Sequence, residues 1–456
     1  MKVESMRLYP MLYAVILLFS FSCDDGRHVR ENIFAGTGDG DVAVTYTANA
    51  DSVFLSWQVD EDAAAFDSFR VADAAGRNDI LLGHDARRCV LTHVPYNRPV
   101  QVTVDMLEGL EVKSSAEISV LIDGTDRAIA SVLIPDSGSV TGGDGMYSVA
   151  LPDGRSIFLM GDSYMGTVTN GTRPPGTHMY RNTYFVYDGF SVRGIADGNG
   201  PGTSAAVPDG QPFETKWYWP GHGFAVGDRL FIFQELMYQG EEGAWGFRYE
   251  TTHTLEYSLP DLVLVRDSRI PFYGPADIHY GAAAMNDGDW LYIYAQVDIE
   301  NDLDPVTEVL LARTTAERIW TDWEYWTGSG WSGNPAAAKA LDGLASVPVS
   351  SQFNVFRLGG KYVLFTSDKT FDSGKIWSFV SDTPWGPWRN RRLLYEVPAL
   401  KPGWYSYNAM AHPQFEKDGM ILVSYNVNTG TFAEQFSDVE SYRPRFVWIG
   451  IDEILE

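Results

Sequence analysis

The sequence predicts an all-β protein, in which a large five-bladed β-propeller follows a small β-sandwich. Three observations support this fold class. Aromatic residues make up 14% of the 456 residues, and 44 glycines separate short apolar runs. Residues 41–123 alternate short strands with turns, and the larger part that follows repeats one hairpin pattern five times. Sustained helical periodicity is missing from both regions of the sequence.

The first 22 residues have the layout of a signal peptide. Basic residues precede the apolar run 11–19, which is too short to cross a bilayer. The run leads into Ser-Phe-Ser-Cys, which resembles a bacterial lipobox ending at Cys23, and two aspartates follow, as in surface lipoproteins. We therefore expect residues 1–22 to be removed, residues 23–37 to form a tether, and Cys23 to be lipidated at the bacterial outer membrane, facing outward. Plain secretion or a periplasmic location, with a free Cys23, is the alternative.

Residues 38–126 form the predicted sandwich. Roughly seven short strands alternate with turns, and Trp57 lies in the second of them. This arrangement resembles an immunoglobulin-like or fibronectin type III domain. Cys89 falls inside a strand, where an inert buried thiol is expected. We find no candidate catalytic residue here, so the domain is expected to be a spacer or a platform for the larger part.

Residues 131–456 form the predicted propeller. Each repeat has a strand containing glycine or alanine, a Gly/Asp turn, and a strongly apolar strand. The apolar strands centre near Phe158, Ile232, Ile293, Leu364 and Val423. This spacing of about 60 to 75 residues suits five blades of four strands each. A short helix is expected at 336–344.

The polar ends of the five hairpins supply the candidate site residues. Because the innermost strands of a propeller run in the same direction, these ends are expected to share one face. The predicted substrate-binding residues are Trp219, His222, Glu235, His279, Gln352, Asp368, Tyr407 and Asn408. Flat aromatic faces beside amides and carboxylates suit a carbohydrate. For His222 and His279, a purely structural role is the alternative.

An aspartate pair is the strongest candidate for chemistry. Asp144 lies nine residues before Asp153, and Asp162 lies nine residues after it. Pro152–Arg155 reads as a tight turn, so a hairpin folded there brings the two carboxylates to the same open end, with Cβ atoms roughly 5–8 Å apart. Such proximity raises one pKa, which leaves one acid protonated and the other ionised. Two solvated loop acids are the alternative.

Four motifs resemble a known family. They are GGDGxYSxxLPDGRxxxxxGDS at 142–163, WPGxG at 219–223, YNAxxHP at 407–413 and YxPRF at 442–446. They resemble the endo-D-arabinanases, five-bladed propeller glycoside hydrolases found among bacterial lipoproteins and secreted proteins.

The resemblance covers about 131–456 and implies an inverting glycoside hydrolase that cleaves a polysaccharide. It implies Asp144 and Asp162 as the general acid–base pair, and arabinofuranosyl linkages of D-arabinan type as a candidate substrate. The wider group of propeller glycosidases implies Asp144 as the base and Asp162 as the acid, whereas the residues themselves leave this order open.

Charge and motif content exclude several other classes. The formal net charge is −26, which disfavours nucleic acid and anionic membrane surfaces as partners. The sequence has no metal-ligand spacing, phosphate-binding loop or nucleophile elbow, so no cofactor is expected, with a structural cation in the central channel left open. We expect a monomer that meets the membrane only through its lipid. A non-catalytic glycan-binding lipoprotein is the main alternative. A glycan phosphorylase ranks last, because the hairpin ends named above contain no Arg or Lys.

Overall fold

An N-terminal β-sandwich and a β-propeller make up the fold in a computed structural model of the protein. The structure describes residues 41–456 except for 61–62, 64, 75, 196–203, 209–214, 244–245, 276, 300–305 and 371. The predicted signal peptide, the tether and Cys23 lie outside the described residues. Antiparallel β-sheets dominate the described secondary structure, which confirms the predicted all-β class.

Seven strands form the sandwich. They are β1 (Val42–Asn49), β2 (Ser52–Val59), β3 (Ser68–Asp73), β4 (Asp79–Gly83), β5 (Arg88–Leu91), β6 (Val100–Glu108) and β7 (Glu111–Val120). One sheet has the order β1-β2-β5 and the other β4-β3-β6-β7. Alternate residues of both sheets, such as Leu55, Trp57 and Val71, fill the core between them. Cys89 is a buried free thiol in β5, as expected. The strand β4 lies at the edge of its sheet, and none of its side chains is fully buried.

Five further sheets follow in chain order. The first contains β8 (Ser137–Ala150), β9 (Ser156–Thr167), β10 (Met179–Tyr180), β11 (Thr183–Tyr187) and β12 (Val192–Ile195). The second contains β13 (Lys216–Val226), β14 (Arg229–Gln239), β15 (Phe247–Ser258) and β16 (Val263–Arg269). The third contains β17 (Ile278–Asp287), β18 (Trp290–Ile299), β19 (Val306–Thr314), β20 (Glu324–Trp326) and β21 (Trp331–Ser332).

The fourth sheet contains β22 (Asn354–Leu358), β23 (Lys361–Ser367), β24 (Lys375–Ser381) and β25 (Arg389–Glu396). The fifth contains β26 (Trp404–Lys417), β27 (Met420–Thr429) and β28 (Pro444–Gly450). The short helices are α1 (Arg127–Leu133), α2 (Glu434–Ser437) and α3 (Ile451–Leu455), with 3₁₀ turns at Pro335–Ala337 and Val439–Tyr442. Among the described residues, no helix is long and apolar enough to span a membrane.

The first strands of the five sheets contact one another in a closed cycle, β8 to β13 to β17 to β22 to β26 and back to β8. The five apolar segments predicted from the sequence form the second strand of each sheet, β9, β14, β18, β23 and β27. These strands are buried along most of their length because neighbouring sheets cover both of their faces. Their continuous apolar character in the sequence therefore has a direct structural cause.

The segment between the two domains extends the last sheet. Thr125 pairs with Val447 of β28. The backbone N–H of Asp126 donates to the carbonyl of Phe446 at 2.8 Å, and Trp448 Nε1 donates to the Asp126 carboxylate at 2.9 Å. The same carboxylate caps α1 by accepting from its first N–H groups. The start of the propeller is thereby fastened to its end.

The predicted helix at 336–344 is wrong. Only the 3₁₀ turn Pro335–Ala337 forms there. The chain that follows makes extended contacts with neighbouring blades, because the Leu341 N–H donates to the Val309 carbonyl and the Asp342 carbonyl accepts from Trp388. These tertiary hydrogen bonds override the helix propensity of the alanine run.

Candidate active site

A cavity of about 520 Å³ lies where the five sheets converge, and each sheet or an adjoining loop contributes to its wall. Nine of the ten predicted catalytic and substrate-binding residues line it. They are Asp144, Asp162, Trp219, Glu235, His279, Gln352, Asp368, Tyr407 and Asn408. Polar residues far apart in the chain thus share one pocket, as the repeat pattern predicted.

Backbone bulges aim several of these residues at the cavity. The innermost strands shift register at Gly143–Gly145, Pro220–Gly223, Tyr280–Ala283 and Tyr407–Met410. A bulge inserts an extra residue, which bends the strand and redirects a side chain. The tight turn at 152–155 forms as predicted, but the hairpin extends beyond the two aspartates to pair residues 137 and 167. The aspartates therefore lie beside an irregularity within the hairpin and not at its open end.

Asp144 is surrounded by groups that favour its protonated form. Burial and the nearby Asp162 carboxylate raise the pKa of Asp144 to about 8. The Tyr407 hydroxyl donates to Asp144 Oδ1. Within the described part of the chain, no cation is among the groups that shift this pKa. These surroundings favour a protonated Asp144.

Asp162 differs because a cation and an indole N–H contact its carboxylate. Burial raises the pKa of Asp162, but the Arg181 guanidinium and the Trp219 indole oppose this shift. Arg181 lies 3.4 Å from Oδ2, and Trp219 Nε1 donates to Oδ1 at 3.0 Å. These contacts stabilise the ionised form. The two environments thus favour Asp162 as base and Asp144 as acid, which is the reverse of the order implied by the wider family.

A second pair of titratable side chains lies across the cavity. His279 Nδ1 and Glu235 Oε1 are 3.0 Å apart, and the His279 ring stacks on Tyr249 with ring centroids 3.9 Å apart. The stack and the hydrogen bond fix the imidazole in the wall. His279 therefore lines the cavity and is not a core residue.

The remaining predicted residues line the fourth and fifth sheets. Ser350 Oγ donates to Asn408 Oδ1 at 3.2 Å, and Asp368 accepts from the backbone N–H of Thr370 at 2.9 Å. Gln352 approaches the backbone of Gly145, where an added Cβ would lie 3.1 Å from Gln352 Oε1. Gly145 also has a φ of +76°, which favours glycine. Glycine at this position therefore allows the first and fourth sheets to approach each other.

His222 is the predicted site residue that the structure does not bring to the cavity. Its side chain is buried, stacks on Tyr147, and accepts from the Ala284 N–H through Nδ1 at 3.1 Å. Burial lowers the pKa of His222 to about 4, so the ring is neutral. The prediction of a substrate-binding role is corrected to the structural alternative. His222 lies within the register shift of β13. The usual alternation of side chains between the two faces of a strand does not hold there, so the sequence position did not show which way the His222 ring points.

His412 is also structural. Its two nitrogens contact Ser148 Oγ at 2.7 Å and Ser424 Oγ at 2.9 Å. Burial, followed by the nearby His222, lowers the pKa of His412 to about 3. The two neutral histidines form a satisfied polar layer inside the ring of sheets.

Two basic residues of the site were not predicted from the sequence. Arg181 contacts Asp162 from the segment between β10 and β11, with its guanidinium stacked 4.2 Å above the Trp217 ring. Lys369 lines the cavity directly after Asp368. Extending the fourth hairpin end by one residue would have identified Lys369. No local signal marks Arg181, because its partner lies in another strand. Within the described part of the chain, no group of three or more His, Cys, Asp or Glu side chains could hold a metal ion.

Comparisons with known proteins agree with the fold. A sequence profile of the family described as "Domain of unknown function (DUF5005)" matches residues 133–450. A search of curated proteins found no significant match. A solved Bacteroides ovatus structure, provisionally assigned as a hydrolase, is similar at 20% identity and a TM-score of 0.58, over 70% of this chain and 87% of that one.

Two weaker structural similarities were also found. A levansucrase mutant from Bacillus subtilis has 14% identity and a TM-score of 0.39, over 69% of this chain and 84% of that chain. An endo-1,4-beta-xylanase from Bacteroides thetaiotaomicron has 13% identity and a TM-score of 0.39, over 68% and 91%. At such identities, structural likeness concerns the fold alone.

Proposed function

The chain belongs to the DUF5005 family, and from that premise and its β-propeller fold we propose that it is an inverting glycoside hydrolase acting on a polysaccharide. One observation carries this proposal. Two aspartates at the same cavity have environments that favour different protonation states, since Asp162 contacts a cation and Asp144 does not. Glycoside hydrolysis needs this combination of one protonated and one ionised carboxyl group.

In the proposed reaction, Asp144 protonates the glycosidic oxygen as its bond to the anomeric carbon breaks. Asp162 accepts a proton from the water that attacks the same carbon from the opposite face. Asp144 ends ionised and Asp162 protonated, and exchange of protons with solvent restores the starting state. Arg181 and Trp219 hold the base ionised and oriented before the reaction.

The cavity wall supports a carbohydrate substrate. Trp219 and Tyr405 offer aromatic faces, while Gln352 and Asn408 offer amide groups that hydrogen-bond hydroxyls. The Bacteroides ovatus protein of similar fold is provisionally assigned as a hydrolase, which agrees with this class. Arabinofuranosyl linkages of D-arabinan type remain our candidate substrate on the basis of the sequence motifs.

The test is a panel of arabinans, galactans and mannans incubated with the full chain, followed by measurement of reducing-sugar release. We expect Asp144→Asn and Asp162→Asn each to lower the rate by about two or more orders of magnitude. Asp153→Asn is the matched control, because Asp153 lies in the turn of the same hairpin and pairs with Arg155 on the surface. Retained activity in both active-site variants would refute the assignment. NMR of the first product reports whether the anomeric configuration is inverted.

The same panel separates the two alternatives. Binding of a glycan without turnover, unaffected by either Asp→Asn change, indicates a glycan-binding lipoprotein. The phosphorylase alternative gains support from Lys369, which supplies the basic group that the predicted hairpin ends lacked. A phosphorylase releases sugar phosphate only when inorganic phosphate is added, so reactions with and without phosphate decide this point.

We also propose, from the sequence, that the protein is displayed on the outer membrane through a lipid on Cys23. Such a location would place the cavity outside the cell, where polysaccharides occur. The acidic net charge fits this picture, because it gives the protein no electrostatic attraction to anionic lipids.

A further inference from the structure

We propose that Tyr407 is a positioning residue that determines which oxygen of Asp144 carries the transferable proton. The sequence suggested only that Tyr407 contacts substrate. The new role rests on the proposed function, because it concerns the general acid, but it follows from hydrogen bonds that exist without substrate. Four side chains and one backbone N–H form a chain of hydrogen bonds that ends at the Asp144 carboxyl group.

The direction of this hydrogen-bond chain is set by a backbone donor. The N–H of Thr429 donates to Asn428 Oδ1 at 2.8 Å, which fixes the orientation of the Asn428 amide. Gln435 Nε2 donates to the same oxygen at 3.1 Å, while Gln435 Oε1 accepts from the Tyr164 hydroxyl at 2.9 Å. Both contacts agree with the Asn428 orientation that the Thr429 N–H requires. Asn428 must therefore present its NH₂ group on the other side.

The Asn428 NH₂ group faces Tyr407. Nδ2 donates to the Tyr407 hydroxyl oxygen, 3.3 Å away. A phenolic hydroxyl has a single proton, and here that proton is directed to Asp144 Oδ1. Oδ1 accepts from Tyr407, and the nearby Tyr442 hydroxyl donates its one proton to the Asp162 backbone carbonyl at 2.9 Å, so the acidic proton of Asp144 resides on Oδ2. The carboxyl group thus presents one defined oxygen as its proton donor.

Burial protects this arrangement. Gln435, Thr429 and Tyr164 are buried, whereas Asn428 and Tyr407 lie at the cavity wall. The interior end of the chain is shielded from competing water, and only its last two members meet the cavity. Tyr407 is therefore held by the protein before a substrate arrives, which is what orientation of an acid requires.

The first test is a pH titration of the aspartate carboxyl carbons by NMR, with Asp144→Asn identifying the signal of Asp144. Removing a donor to the ionised form disfavours that form, so we expect Tyr407→Phe to raise the pKa of Asp144 by about one unit. Asn428→Leu, of similar size, leaves Tyr407 in place but frees its hydroxyl to rotate. We expect a smaller shift in the same direction.

Tyr362→Phe is the matched control. Its hydroxyl also donates to an aspartate, Asp287, but neither residue lines the cavity. An unchanged Asp144 titration in Tyr407→Phe would overturn the proposal, as would an equal shift in the control. Because no substrate is needed, this result stands even if the chain fails to cleave any polysaccharide, an outcome that would count against the proposed function alone.

The second test uses activity on the polysaccharide that the wild type cleaves. Asp144 must be protonated to act, so its pKa sets the alkaline limb of the pH–rate profile. We expect Tyr407→Phe to move that limb to higher pH and to lower kcat about tenfold with little change in KM. A raised KM with an unmoved alkaline limb would instead assign Tyr407 to substrate binding and overturn the positioning role.

Discussion

The assignment of His222 as a buried structural residue predicts a specific dependence of stability on pH. The ring is neutral in the folded protein, and its Nδ1 accepts from the Ala284 N–H. Acid must protonate this ring or unfold the protein around it. His222→Gln keeps an acceptor and a donor but does not titrate, so it isolates the contribution of protonation.

The magnitude follows from the difference between the pKa values of the two states. Burial lowers the pKa of His222 from 6.5 to about 4 in the folded protein. Since the unfolded chain binds the proton first, the stabilisation is complete above pH 6.5 and is lost as the pH falls toward 4. The full loss is about 3 kcal/mol, of which about 2 kcal/mol falls between roughly pH 7.5 and pH 5.

The assay is equilibrium unfolding in urea at these two pH values, followed by tryptophan fluorescence. We expect the free energy of unfolding to fall by about 2 kcal/mol more in the wild type than in His222→Gln. His84→Gln is the control, because the His84 side chain is 53% exposed. It is expected to behave as the wild type does. Equal pH dependence in wild type and His222→Gln would refute the structural assignment and return His222 to the list of site residues.

Four further changes test other parts of the structure. Arg181→Met is expected to raise the pKa of Asp162, because it removes the cation that opposes burial; the acid limb of the pH–rate profile should then move to higher pH by about one unit. Gly145→Ala places a Cβ near Gln352 at a φ of +76°, and it should lower both the free energy of unfolding in urea, by about 1–2 kcal/mol, and the activity. Gly154→Ala, at a φ of +87° with open space around it, should lower the free energy of unfolding alone. Asp126→Ala removes the cap of α1 and the contact with Trp448, and should lower the unfolding free energy by about 1–2 kcal/mol. Cys23→Ser should abolish incorporation of labelled palmitate in cells; labelling that persists would contradict the anchor.

Much of the candidate site could be predicted because its residues follow repeated, apolar strands. Asp162 comes after the buried run of β9, and Glu235 after that of β14, so the end of each run marked a position near the common axis. Tyr407 and Asn408 were found from the fifth copy of the pattern. These predictions needed only strand polarity and the repeat.

The errors arose where backbone irregularity or distant contacts decide the outcome. His222 lies in a register shift, so alternation did not tell which way its ring faces. Arg181 reaches Asp162 from the end of the neighbouring strand β10, and nothing near it in the sequence indicates this pairing. Our proposed order of acid and base also rests on such a contact, the cation next to Asp162.

The sequence by itself determined the all-β class, the five repeated hairpins and the convergence of polar residues, because these properties follow from local alternation of apolar and polar side chains. Only the tertiary structure decided the protonation properties that we propose for the pair, namely which aspartate holds the proton and which oxygen of Asp144 carries it. Those properties depend on burial and on hydrogen bonds from Tyr407 and Arg181, which are distant in the chain from the groups they contact. Protonation responds to the local environment in space, and that environment exists only once the five sheets have closed into a ring.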